Sequence, residues 1–108
     1  MSKQTVIGTF RVRADREAEF RRLLARHWPT LHRLGLVTED ESQIFRSVEE
    51  PPTYVEIFTW VEGGYEAAHE HPDVLAIWGP MEALLEGRGG QVAWEFPHYR
   101  RERLGVGE

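Results

Sequence analysis

No cysteine occurs among the 108 residues. That excludes a disulfide framework, a thiolate metal centre and a cysteine nucleophile. Nor is there an apolar run approaching the roughly 20 residues that cross a bilayer. Met1-Ser2-Lys3-Gln4 leads directly into Val6-Ile7 without a signal-peptide core, so the expectation is a cytoplasmic chain with no membrane association. Serine is scarce, and neither Ser2, Ser42 nor Ser47 stands in a nucleophile-elbow context, which leaves acyl transfer without a candidate. Gly87-Arg88-Gly89-Gly90 precedes a strand rather than a helix and lacks the helix N-terminus that cradles phosphate, so it reads as a turn. Positive charge is also in deficit. The net charge is −5, with eight basic and three acidic side chains in residues 1–38 against two and thirteen in 39–95. The basic residues share one short helix with Asp15, Glu17 and Glu19, which speaks against a nucleic-acid surface.

What remains is an ordinary charged fraction of 29%, an apolar fraction of 41% and a generous 11% of aromatics, enough to bury the core of one small domain. We place that domain at residues 1–98. A tail follows at 99–108, with Arg100, Arg101 and Arg103, and reads as an arm or a frayed end.

Hydrophobic spacing divides the domain into strands and helices. Residues 4–13 alternate, with Val6, Gly8, Phe10 and Val12 on one face, and Gly8 marks a bulge or a close approach to the backbone. Asp15 is the expected N-cap of a helix over about 15–34, with Phe20, Leu23, Leu24, Trp28, Leu31 and Leu34 at helical spacing. Pro29 predicts a kink that aims Trp28 and His32, and Gly35 predicts the C-terminal cap. A strand over 41–48 and a Pro51-Pro52 turn precede Thr53–Val61, which is rich in β-branched and aromatic residues. One face of that strand carries Val55, Ile57, Thr59 and Val61. The other carries Tyr54, Glu56, Phe58 and Trp60, a carboxylate set among three aromatics. A short helix from Tyr65 to His69 is interrupted at Pro72, a helix from Asp73 to Gly87 breaks at Gly79-Pro80, and a last strand spans 90–97.

The order strand, helix, strand, strand, helix, strand predicts an α+β, ferredoxin-like split β-α-β fold, with a four-stranded antiparallel sheet and helices on one face. Because both faces of Thr53–Val61 are largely apolar, the uncovered face is expected to meet a second copy in a homodimer.

The run Tyr65-Glu-Ala-Ala-His69-Glu-His-Pro72-Asp-Val74 follows a strand ending Phe58-Thr-Trp60 and precedes Leu75 to Leu85. Over about residues 4–97 this pattern resembles the antibiotic biosynthesis monooxygenase-like family of dimeric α/β barrels. The resemblance implies a pocket between sheet and helices and a cofactor-independent monooxygenase acting on a small aromatic or quinone-like substrate. Ala68-His69 is similar to the family's Ala-His pair, and Trp60 to the Trp that ends the third strand in haem-degrading members. Those members also use an Asn on the first strand and a His further along the second helical region. This chain has no Asn, and Trp78-Gly79 stand near the place of that His, so a haem-binding protein ranks last. The alternative is a non-catalytic ligand-binding or structural dimer of the same fold.

Oxygenation without a cofactor needs a dry pocket, a base that makes an electron-rich anion, and polar groups that steady a developing peroxide. His69 or His71 is the candidate base, His69 ranked first, with Glu56 the carboxylate that orients it; Trp60, Tyr54, Phe58, Trp28, Trp78 and His71 are candidate substrate contacts. Each has a structural reading too: aromatics at these spacings fill cores, and Glu56 has Arg11 and Arg46 as alternative partners. His69-Glu70-His71 does not make a metal site, because ligands two apart do not share a helix face and no His-Glu-x-x-His spacing occurs. No cofactor is expected.

Overall fold

A computed structural model of the chain describes residues 3–105. Strand β1 (Gln4–Arg11) leads through a 3-10 turn at Ala14–Arg16 into helix α1 (Glu17–Arg33). Then come β2 (Gln43–Arg46), β3 (Thr53–Trp60), α2 (Gly64–Ala68), α3 (Pro72–Glu82), β4 (Trp94–Glu95) and β5 (His98–Tyr99). The sheet is antiparallel with strand order β2-β3-β1-β4, and β5 also pairs with β1. This is the α+β, ferredoxin-like arrangement. β1 and β3 form its long central pair, in register from Gln4 opposite Trp60 to Arg11 opposite Thr53.

The last strand differs from the expected 90–97. It is two short pieces on one edge of β1, β4 against Thr9 and Phe10 and β5 against Thr5 and Val6. Pro97 lies between them; it has no N–H to give, although its carbonyl accepts from Ile7 N–H at 3.2 Å. The expected tail therefore begins one residue later, since Tyr99 is in the sheet.

Helix α1 buries Phe20, Leu24, His27 and Leu31, a stripe at helical spacing. Its start corrects the sequence reading: Asp15 lies within the 3-10 turn and does not cap, because Arg13 C=O accepts from Arg16 N–H and the α-helix begins only at Glu17. The helix runs unbroken through the exposed Pro29. It closes in a Schellman motif, with Gly35 at φ +75°, Gly35 N–H on His32 O and Leu36 N–H on Leu31 O, each at 3.0 Å. Helix α3 also runs unbroken through Gly79-Pro80, but stops at Glu82 rather than Gly87 because the chain turns so that Leu85 bridges to Val12. Among the described residues no helix is long and apolar enough to cross a membrane.

Both helices cover the face of β3 that carries Tyr54, Glu56, Phe58 and Trp60, all buried, while Val55, Ile57 and Thr59 opposite are half-buried. Two apolar clusters form under the helices. One gathers Phe10, Phe20, Leu24, Tyr54, Ile77 and Met81; the other gathers Val6, Leu31, Phe58, Trp60, Ala68 and Val74. Trp78 packs against both.

A polar clasp joins α1 to β2 and β3. Glu17 accepts from Arg46 at 2.6 Å and from the Tyr54 hydroxyl at 2.5 Å, and Arg21 donates to the Tyr54 oxygen at 2.8 Å. The Arg46 guanidinium, and then the Tyr54 hydroxyl, hold the Glu17 carboxyl at about 2 against an ordinary value of 4.5. A carboxyl depressed on folding contributes stability above its ordinary value and loses it as the pH falls toward its folded value. Thermal melts from pH 7 to pH 2 should therefore lose part of the stability between about 4.5 and 2. Glu17→Gln should flatten that limb and cost about 1 kcal/mol at neutral pH, since the clasp is partly exposed.

Candidate functional site

Between the two clusters lies a cavity of about 190 Å³. Strand alternation explains its floor. Glu56 and Phe58 stand on the helix-covered face of β3, opposite Gly8 and Val6 of β1, and His98 of β5 stands across from Val6. Trp60 ends the β3 row, Trp94 and Phe96 close the edge of the last strand, and Tyr65, His69, His27 and Trp78 descend from the helical side. Gly8 meets the close approach that its place in a strand predicts: a Cβ there would lie 3.0 Å from Phe96 Cδ1.

Glu56 is 1% exposed and His27 3%. His27 Nδ1 lies 2.8 Å from Glu56 Oε1, and Trp78 Nε1 donates to His27 Nε2 at 2.9 Å. An indole N–H can only donate, so His27 Nε2 must accept. The imidazole is then neutral with its proton on Nδ1, and donates that proton to Glu56. The chain Trp78 to His27 to Glu56 thus runs one way and orients the carboxylate. The other carboxylate oxygen, Oε2, is buried and makes no hydrogen bond among the described residues; the same holds for Trp60 Nε1 and His98 Nε2. All three residues line the cavity. An unmet buried acceptor costs about 1–3 kcal/mol, so Oε2 favours a ligand that brings an O–H or N–H.

At the mouth, His69 Nδ1 donates to the Tyr65 carbonyl at 3.0 Å. The Tyr65 ring lies edge-on to His69 and His98 at 4.4 and 4.6 Å, and His69 edge-on to Trp78 at 5.0 Å.

Of the sequence candidates, Glu56, His69, Phe58, Trp60 and Trp78 line this one cavity. Three do not. Tyr54 lies in the other cluster with its hydroxyl held by Glu17 and Arg21. Trp28 packs against the Val6–Trp60 cluster and stacks on His32 at 4.6 Å, because continuous helix geometry places it one residue past the buried stripe. His71 caps α3, its Nδ1 accepting from Asp73 N–H at 3.1 Å. The expected pairing of Glu56 with His69 is replaced by His27. Arg11 and Arg46 are engaged elsewhere, with Glu95 and with Glu17 and Glu50. His27 and His98 were missed. His27 had a signal, a histidine on the apolar stripe between Leu24 and Leu31; His98 had none, since it lies beyond the expected last strand. Among the described residues no group of three or more His, Asp or Glu is arranged to hold a metal ion.

Three solved structures share this architecture. A variant of SnoaB, a cofactor-independent oxygenase from Streptomyces nogalater, superposes with a TM-score of 0.73 at 20% identity over 97% of this chain and 99% of that one. A Nitrosomonas europaea protein assigned to the antibiotic biosynthesis monooxygenases has a TM-score of 0.75 at 13% identity over 94% and 92%. Rv0793 from Mycobacterium tuberculosis has 0.74 at 13% identity over 96% and 99%. No protein-family profile and no curated protein matches the sequence. Likeness at such identities establishes the fold, which is that of the antibiotic biosynthesis monooxygenase-like proteins.

His27→Ala strips a buried carboxylate of its donor, and urea unfolding should show a loss of about 3 kcal/mol or more. Trp78→Phe removes the indole N–H together with one of the two rings. Nitrogen NMR should then show His27 no longer confined to the Nδ1–H tautomer, with the fold intact.

Proposed function

We propose that the chain is a cofactor-independent monooxygenase of a small phenol or hydroquinone-like aromatic. The observation that carries this reading is the Glu56 carboxylate, oriented through one oxygen by His27 and unpartnered at the other, in a cavity walled by Phe58, Trp60, Trp78, Trp94 and Phe96. The fold shared with SnoaB supports it.

In this reading Glu56 Oε2 takes the phenolic proton, and the aromatic walls keep water from the anion that forms. The electron-rich ring carbon adds dioxygen to give a peroxide, which His69, once protonated, and the Trp60 N–H steady. The carbon loses its hydrogen as the O–O bond breaks and water leaves. A phenol and dioxygen thus become a quinone and water, the phenolate itself being the reductant. His69, assigned from the sequence as the base, becomes the proton donor at the mouth, because the carboxylate is the deeper acceptor.

Oxygen uptake by the purified protein with a panel of phenols and hydroquinones tests the reaction. Glu56→Gln keeps the shape and removes the base, and should lower turnover roughly a hundredfold to ten-thousandfold. His69→Ala should lower it less. A panel that binds without uptake would make the chain a ligand-binding module of the same fold.

We further propose that the half-buried sheet face of Val55, Ile57 and the exposed Phe45 meets a second copy. Sedimentation at micromolar concentration should give twice the chain mass, and Phe45→Glu should return it to the single-chain value.

A further inference from the structure

Side chains on one face of a strand recur every two residues, about 6.7 Å apart, and pair across the sheet by register. Under the helices this makes a row of Glu56 beside Gly8 and a row of Phe58 beside Val6, with His98 beyond. Gly8 is the missing tile of that floor, next to the carboxylate. The space a side chain there would fill is shared with the Phe96 ring, whose Cδ1 and Cε1 lie 3.0 and 3.2 Å from the position of a Cβ. Phe96 is 39% exposed and precedes Pro97, where the last strand is interrupted, so it is the wall that can yield. The cavity of about 190 Å³ compares with the roughly 150 Å³ that encloses a benzene. A cavity of that size is enough for one substituted ring, and the Phe96 ring bounds the space over Gly8 that a second fused ring would need.

We propose that Gly8 and Phe96 set the ring count of the ligand. The site takes phenols or hydroquinones of one ring or two fused rings, seated over Gly8 with a hydroxyl on Glu56 Oε2, and turns away three-ring homologues. This rests on the reading of the cavity as a phenol site and adds its size rule. Gly8 is then a specificity-determining position, selected by what it lacks.

Calorimetric titration in the absence of oxygen tests binding apart from turnover, with hydroquinone, naphthohydroquinone, its dimethyl ether and anthrahydroquinone as probes. Hydroquinone and naphthohydroquinone should bind. The three-ring probe should bind roughly tenfold or more weakly, and the ether likewise, because it leaves Oε2 without a donor. Gly8→Ala should retain hydroquinone and lose naphthohydroquinone. Phe96→Ala, a change at a half-exposed position, should admit the three-ring probe. Equal binding of all ring sizes, a size order unchanged in both variants, or no binding by any probe overturns the proposal. The predicted size order without oxygen uptake would sink the oxygenase reading and leave the size rule standing. Uptake with the three-ring probe would do the reverse.

Discussion

A carboxylate on the covered face of a sheet must be answered by donors, and the architecture around the cavity follows from how Glu56 is answered. Its partner comes from α1, and that partner's second nitrogen is occupied from α3, so one chain of two hydrogen bonds ties β3 to both long helices. Breaking such a pair inside a protein leaves a charge without compensation, which costs several times what an exposed pair contributes. The direction of the chain matters as much as its strength. Because an indole cannot accept, the imidazole is held in one tautomer and cannot relay a proton outward. The Glu56 oxygen that His27 does not hold has no hydrogen-bond partner among the described residues.

The cavity is the packing consequence of the same region. Protein interiors close at near-crystalline density, so an opening between two apolar clusters needs a cause. Here it has two: a glycine in the middle of the central strand, and polar residues at positions where the alternation would otherwise put apolar ones. Local rules are broken at Gly8, His27 and Glu56 together, while the flanking clusters obey them.

The fold was largely legible in the sequence and the site only in half. The alternation of Thr53–Trp60 and the spacing of Phe20, Leu24 and Leu31 report burial on one face, which is a property of each element alone. Terminal details were not legible, because a 3-10 turn before α1 and a proline splitting the last strand depend on pairing with distant backbone. Tyr54 and Glu56 share a face in the sequence, yet α1 divides that face between two clusters, and only one half borders the cavity. Trp28 and His27 are adjacent, and one residue of helical rotation separates the stripe from its margin.

By itself the sequence determined the element order, the covered face of β3 and the presence of a carboxylate among aromatics, because the periods of strand and helix are written in local spacing. Only the tertiary structure decided that the carboxylate answers to His27 rather than His69, that the Phe96 ring packs close over Gly8 beside it, and that His98 closes the wall. Hydrogen bonds and cavities of that kind join residues tens of positions apart, and no local period encodes them.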